Sequence, residues 1–307
     1  MRNTNEEKTV NRYLAAGSYV VIPATTKGTA SFSANTPLLI ASYKLSDQVS
    51  LYAKYTEGFK SGGFNGEAND VPETLTPFKP ETTKSFEGGL KSTLDGGKTT
   101  INVAVFQNKI SDLQESIFTA KGAASSNIRN AGKATTSGIE VELAFRPTAD
   151  LRLQANYGYL NAKYDEFIDG GVNVANNRAM PHAPKNSLNL LVDATLNRSS
   201  FGVLRAVADY SYLSSQYMYA YQLTKVDPTV AVAGNTLVEA AGFLNLRLLM
   251  SNISFGSQRL EAALWMRNAL DNKHIANYID FGPGFGNLRQ AYFADPRTFG
   301  VSLKTSF

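Results

Sequence analysis

The chain alternates at two scales. From residue 37 onward, segments in which apolar and polar residues take turns are joined by connections that are short, then long, then short again. Period-2 patterning marks a β-strand with one apolar and one polar face. Candidate strands are 37–44, 48–60, 83–94, 97–112, 132–146, 150–165, 186–197, 201–220, 240–253, 258–270 and 296–307. The short turns KLSD, DGG, RPTAD, NRSS and SFGSQ are rich in Gly, Asp, Asn, Ser or Pro, which bend the chain tightly. The long connections cover 61–82, 113–131, 166–185, 221–239 and 271–295. Short and long never change places, so all long connections fall at one end of an antiparallel sheet.

The clearest unit is a hairpin. Ile139, Val141, Leu143 and Phe145 alternate with Glu140, Glu142, Ala144 and Arg146. After Pro147-Thr148-Ala149-Asp150, Leu151, Leu153, Ala155, Tyr157 and Tyr159 alternate with Arg152, Gln154, Asn156 and Gly158.

Strand length separates the architectures. Strands of soluble sandwiches run about 5–6 residues. A strand tilted through a bilayer needs about 9–11 for the hydrocarbon alone. Most candidate strands here reach or exceed that length. The apolar parity holds Val49, Leu51, Ala53 and Tyr55; Ile101, Val103 and Val105; Leu188, Leu190, Val192, Ala194 and Leu196; Leu204, Ala206, Ala208, Tyr210 and Tyr212; Leu244, Leu246, Leu248 and Met250; and Phe299, Val301, Leu303 and Phe307. The other parity holds Lys54, Asn102, Asn108, Asn189, Asp193, Arg205, Asp209, Asn245, Arg247 and Lys304, with Leu191 and Leu249 as exceptions. A charge on a lipid face costs about 2–4 kcal/mol near the midplane, so charge confined to one parity implies lipid on the other. Tyr55, Tyr157, Tyr159, Tyr210 and Tyr212 fall toward the loop ends of their strands, and Tyr43, Phe145 and Phe307 toward the turn ends, as two aromatic girdles would.

Composition closes other routes. Net charge is +4, with no basic cluster interleaved with aromatics, so nucleic acid is excluded as a partner. The absence of cysteine excludes disulfides and thiolate metal sites. No apolar run reaches the ~18 residues of a membrane helix. The first residues, MRNTNEEKTVNRYL, lack the apolar core of a signal peptide.

Eleven strands are an odd number, and residue 37 starts at the loop end. Residues 1–36 are therefore expected to be the end of an upstream strand followed by an outer loop, with that strand at 1–9 and the loop at 10–36, and 37–307 to be the second half of a barrel wall. An open sheet in lipid leaves edge amides unpaired, so closure is obligatory. The expectation is a fragment, or a gene start placed too late, that neither closes nor transports alone.

Several motifs resemble one family. Tyr55-Thr56-Glu57-Gly58-Phe59-Lys60-Ser61-Gly62-Gly63-Phe64 resembles Y-x-x-G-F-[KR]-x-G-G-[FY]. Pro80-Glu81 with Phe86-Glu87-Gly88-Gly89-Leu90-Lys91 resembles P-E-x-x-x-x-[YF]-E-x-G-x-K. Asn130-Ala131-Gly132 with Gly138-Ile139-Glu140-Val141-Glu142 resembles N-x-G-x-x-x-x-x-G-x-E-x-E. Asn268-Ala269-Leu270-Asp271-Asn272-Lys273 is similar to N-L-x-D-x-K with Ala in place of Leu. Arg2 to Lys8 resembles the end of an earlier strand, and Pro296-Arg297-Thr298-Phe299-Gly300 with Phe307 the closing one. These are motifs of TonB-dependent outer-membrane receptors, in the right order. The resemblance implies an all-β, antiparallel transmembrane barrel portion of about 11–12 strands out of about 22, without the plug domain that fills such barrels. It also implies a bacterial outer-membrane location and energised uptake of a ferric siderophore or similar large nutrient. Implied partners are lipid, the plug, the TonB complex, and the barrel-assembly machinery reading Phe307. The haem signatures F-R-A-P and N-P-N-L are absent, which favours iron chelates, cobalamin or oligosaccharides over haem. The alternatives are a passive porin-like barrel and a soluble β-rich binding module.

No catalytic, metal or cofactor site is expected. His182 and His274, the two histidines, lie in predicted loops without partners at metal-ligand spacing. Phe281-Gly282-Pro283-Gly284-Phe285-Gly286-Asn287 lacks the Lys and the strand–helix context of a phosphate loop. A large polar chelate needs aromatic faces and a few charges. Candidates for its contacts are Lys60, Phe64, Arg178, Tyr217, Tyr219, Tyr221, Tyr278, Phe281, Phe285, Arg289 and Tyr292. Glu87, Lys91, Glu140, Glu142, Arg146 and Arg152 are expected to face the lumen and, in a complete receptor, the plug.

Overall fold

The computed structural model describes residues 2–16, 19–65, 71–119, 125–256 and 258–306. Eighteen strands follow one another: β1 (Arg2–Ala16), β2 (Tyr19–Thr36), β3 (Leu38–Lys44), β4 (Val49–Lys60), β5 (Glu81–Leu94), β6 (Thr99–Thr119), β7 (Ser125–Thr148), β8 (Leu151–Asp169), β9 (Val172–Asn173), β10 (Asn186–Ser199), β11 (Gly202–Leu213), β12 (Gln216–Tyr217), β13 (Leu237–Val238), β14 (Ala241–Phe255), β15 (Gln258–Arg267), β16 (Ile275–Asp280), β17 (Arg289–Phe293) and β18 (Thr298–Ser306). One sheet runs in the order β18-β15-β14-β11-β10-β8-β7-β6-β5-β4-β3, antiparallel at each step. Its two edges, β3 and β18, do not meet. These eleven strands are the eleven read from the alternation.

Register carries the pattern across the wall. Leu51 faces Leu90, which faces Val103, then Val141, Tyr157, Leu188 and Tyr212. One residue along, Ser50 faces Lys91, then Asn102, Glu142, Asn156, Asn189 and Ser211. A one-residue slip would exchange the two faces entirely, so the pattern itself fixes the pairing. The polar face binds itself together: Lys54 Nζ lies 2.5 Å from Glu87 Oε2, and Asn102 Nδ2 donates to Glu142 Oε2 at 3.1 Å. Arg205 donates to both carboxylate oxygens of Asp193. The apolar face stays uncovered; Leu190, Leu248, Val301 and Leu303 are all exposed. The exceptions find company, since Leu249 is buried and lies opposite Ala263, also buried.

Three expectations shift. Residues 113–131 were read as a loop; instead β6 and β7 continue as a ladder as far as Thr119 opposite Ser125. Leu113 to Thr119 and Ser125 to Ala131 mix apolar and polar residues without sustained alternation, so no strand signal arises there and the ladder hydrogen bonds carry it. Likewise 10–16 and 19–36, read as loop, are paired strand: β1 and β2 match from Arg2↔Thr36 to Ala16↔Tyr19. Conversely, the strand read over 201–220 ends at Leu213, because Gln216–Tyr217 turns away to pair with Leu237–Val238. Phe307 lies outside the described residues. A bulge at Leu196 also inverts parity, so that Arg198 joins the polar face and binds Asp150 Oδ1 through Nε at 3.0 Å and Nη2 at 2.7 Å.

The tight turns sit at one end, where Asp95, Gly96 and Gly97 adopt positive φ in the turn between β5 and β6. The long connections gather at the other. There the main buried cluster forms, from Ala131, Ala134, Tyr164 and Phe167 with Ile110 and Leu113 packed against it. Between Lys60 and Glu81, Asn65 exchanges two hydrogen bonds with the Ile128 backbone, at 2.8 and 3.0 Å, and the short helix α1 (Val71–Leu75) is tied to the same strand by Arg129, which donates to Glu73 at 3.0 Å.

Candidate functional site

Long connections from four parts of the wall enclose a cavity of about 550 Å³. The loop-end extension of β6 supplies Glu115. The loop end of β8 supplies Phe167 and Asp169, and the connection from β8 to β10 supplies Arg178 and His182. The β11–β14 connection supplies Met218, Tyr219, Tyr221 and Val230, and the β15–β18 connection supplies Ile279, Asp280, Phe281 and Pro283. A larger hollow of about 650 Å³ lies among Leu39, Tyr55, Phe86 and Val105, but these are the apolar wall rows, suited to lipid rather than to a polar ligand.

The cavity is aromatic and charged. Tyr219 and Tyr221 stack with centroids 5.0 Å apart and planes 13° from parallel. The Tyr219 hydroxyl donates to the Tyr278 carbonyl at 3.2 Å and accepts the Asp280 N–H at 3.4 Å. Burial pushes the Tyr221 hydroxyl up, helped by the charge of Asp280. Arg178, almost wholly buried, donates to Asp169 Oδ2 at 2.6 Å and lies 5.5 Å over the Phe167 ring. Tyr164 meets Phe167 edge-on at 4.9 Å and donates its hydroxyl to Glu115 Oε1 at 2.8 Å. Burial raises the Glu115 carboxyl above the ordinary glutamate range, and the charge of Glu81 adds to that; the Tyr164 hydrogen bond and Lys60 oppose it. Burial, then the charge of Glu115, holds the Tyr164 hydroxyl protonated well above the usual tyrosine range.

One wall is held by Gln222, which is fully buried. Its amide donates to the carbonyls of Asp227 (2.7 Å) and Val230 (2.6 Å), and its Oε1 accepts the N–H of Val226 (2.8 Å) and Asp227 (3.0 Å). All four bonding positions of the amide are used within one loop.

Of the candidates, Arg178, Tyr219, Tyr221 and Phe281 line the cavity. Tyr278 adjoins it through its carbonyl, and Phe285 through an edge contact with Phe281 at 6.2 Å. Tyr217 is spent on the backbone, where its carbonyl accepts His182 N–H at 2.9 Å. Arg289 binds the Asn235 carbonyl, and Tyr292 lies exposed on β17. Lys60 is exposed at the end of β4. Phe64 packs over Gly28, where a Cβ would meet its ring at 3.1 Å. Glu87, Lys91, Glu140, Glu142 and Arg152 share the polar face through their register positions; Arg146, beyond Phe145, lines a hollow with Arg152 and Asp193. Glu115, Phe167, Asp169, Gln222 and Asp280 were missed. Glu115 fell in a stretch read as loop. Asp280 stands two residues before Gly282, a pairing that favours an Asx-type turn, and the sequence carries that signal. Among the described residues no group of His, Cys, Asp or Glu is placed to hold a metal ion.

A wall with one apolar and one polar face, tight turns at one end and a ligand-sized cavity among loops at the other defines an outer-membrane β-barrel of receptor type. The family model described as TonB dependent receptor-like, beta-barrel matches residues 2–268, and the chain belongs to that family of outer-membrane transport receptors. It is 26% identical to the metal-pseudopaline receptor CntO of Pseudomonas aeruginosa over 52% of this chain and 20% of that protein. It is 23% identical to the ferrioxamine B receptor of Salmonella typhimurium over 86% of this chain and 33% of that protein. The ferric yersiniabactin uptake receptor FyuA of Yersinia pestis shares its fold, with a TM-score of 0.76 at 17% identity, over 99% of this chain and 42% of that one. The chain thus spans a third or less of the length of these two curated relatives.

Proposed function

We propose that this chain is the second half of the barrel, with its ligand-gathering loops, of a receptor that imports a ferric siderophore or similar metal chelate under energy from TonB. The observation that carries this reading is the cavity of about 550 Å³, where stacked Tyr219 and Tyr221 stand beside Arg178, Glu115 and Asp280. Its size suits a chelate, and aromatic faces with a few placed charges are what such a ligand needs. Phe285 stands beside it through its contact with Phe281; Lys60 and Tyr292 are proposed as outer contacts for the ligand. In this reading the polar face is the lumen. Glu87, Lys91, Glu140, Glu142, Arg146 and Arg152 face a plug there, and Phe307 addresses the assembly machinery. No catalytic step is needed. Cells with and without the gene, grown under iron limitation on single defined chelates, test the proposal. Loss of growth on at least one chelate supports it; equal growth and equal uptake of labelled chelate on all of them refutes it.

A further inference from the structure

The charges of the cavity do not balance. Three carboxylates line it, from Glu115, Asp169 and Asp280, against the single guanidinium of Arg178. Arg178 is already committed to Asp169. Glu115 and Asp280 are left without a cationic partner in the cavity. Asp280 is only 4% exposed, and its Oδ1 accepts the Gly282 N–H at 2.8 Å. Its Oδ2 is buried with no hydrogen-bond partner among the described residues. A buried carboxylate oxygen without a donor is costly to keep, so such an atom on a residue lining a binding cavity marks the place of a donor that arrives with the ligand. The stacked tyrosines beside it add the negative faces of two rings.

Resting on the import reading above, we infer that this cavity selects a ligand group that is cationic, a pendant ammonium or guanidinium, and that Asp280 receives it while the Tyr219–Tyr221 pair flanks it. Anionic chelates are disfavoured at the same place. Glu115 already accepts the Tyr164 hydroxyl, which leaves Asp280, with its unpartnered oxygen, as the principal acceptor.

The test uses the protein purified from the outer membrane of its own cells and one ferric trihydroxamate core carrying a pendant ammonium, acetamide or carboxylate. Binding is read by quenching of protein fluorescence. The ammonium form is expected to bind about tenfold tighter than the acetamide form, as one charge-assisted hydrogen bond allows, and the carboxylate form weakest. Asp280→Asn should bring the ratio of ammonium to acetamide affinity down to about one, and Glu115→Gln should lower that ratio less. Equal affinity for all three forms, or an unchanged preference in Asp280→Asn, overturns the inference and leaves chelate import standing. Binding of none of the three, with no chelate of any class supporting growth, overturns both.

Discussion

Tyr164 and Glu115 meet across β7, hydroxyl to carboxylate at 2.8 Å, although the strands that carry them are not neighbours in the sheet. Tyr164 is a member of the buried loop-end cluster, and Glu115 lines the cavity. The bond therefore ties the lining of the cavity to that buried cluster. Tyr164→Phe keeps the ring packing and removes the donor from a carboxylate that burial already disfavours. It is expected to lower stability by about 1–3 kcal/mol at neutral pH, read as a drop in the temperature at which the folded gel band converts to the unfolded one.

The same pair sets a pH dependence. The folded Glu115 carboxyl titrates above the ordinary value of 4.5, chiefly through burial. A carboxyl raised in the folded state contributes fully below its unfolded value and loses that contribution as pH rises through the folded one. The conversion temperature should therefore fall between pH 4.5 and neutrality more steeply in the native protein than in Glu115→Gln. Identical pH profiles would show that Glu115 is solvated.

The wall rows make opposite predictions one residue apart. Leu190 lies on the apolar row and Asn189 on the polar one. Leu190→Arg should cost about 2–4 kcal/mol in a bilayer, whereas Asn189→Arg should cost little. Urea titration of folding into lipid vesicles measures both, and equal costs would contradict the assignment of faces.

Arg205 and Asp193 form the tightest pair on the polar face. Arg205→Ala leaves Asp193, whose side chain is 12% exposed, without its partner and should cost about 1–3 kcal/mol. Adding Asp193→Ala should restore part of that, so the double-mutant cycle should be clearly non-additive.

Gln222→Ala opens four backbone hydrogen-bonding groups in a single loop. Limited proteolysis should cut new sites between residues 223 and 236, while the conversion temperature of the barrel moves little. Unchanged cleavage would mean the loop is held by other contacts.

The sequence determined the wall. Alternation has a period of two, register errors exchange whole faces, and lipid cannot tolerate the wrong one, so the eleven strands of the main sheet, their pairing and their two faces were legible from the residues, whereas the β1–β2 hairpin and the loop-end extension of β6 and β7 were not. Even Arg152 and Glu142 could be assigned to a face by parity alone. The tertiary structure decided the site, because nothing local tells a loop residue which distant loop it will meet. Phe64 and Tyr221 are both loop aromatics; one packs over Gly28 and the other stacks on Tyr219 in the cavity. Asp280, not among the residues singled out from the sequence, is a buried carboxylate with one oxygen unpartnered among the described residues. Periodicity reports the environment of a repeating backbone, and it ends where the ladders end. Beyond that point position depends on hydrogen bonds between segments far apart in the chain, such as Tyr164 on Glu115 and Tyr219 on the Tyr278 carbonyl, which only the folded molecule brings together.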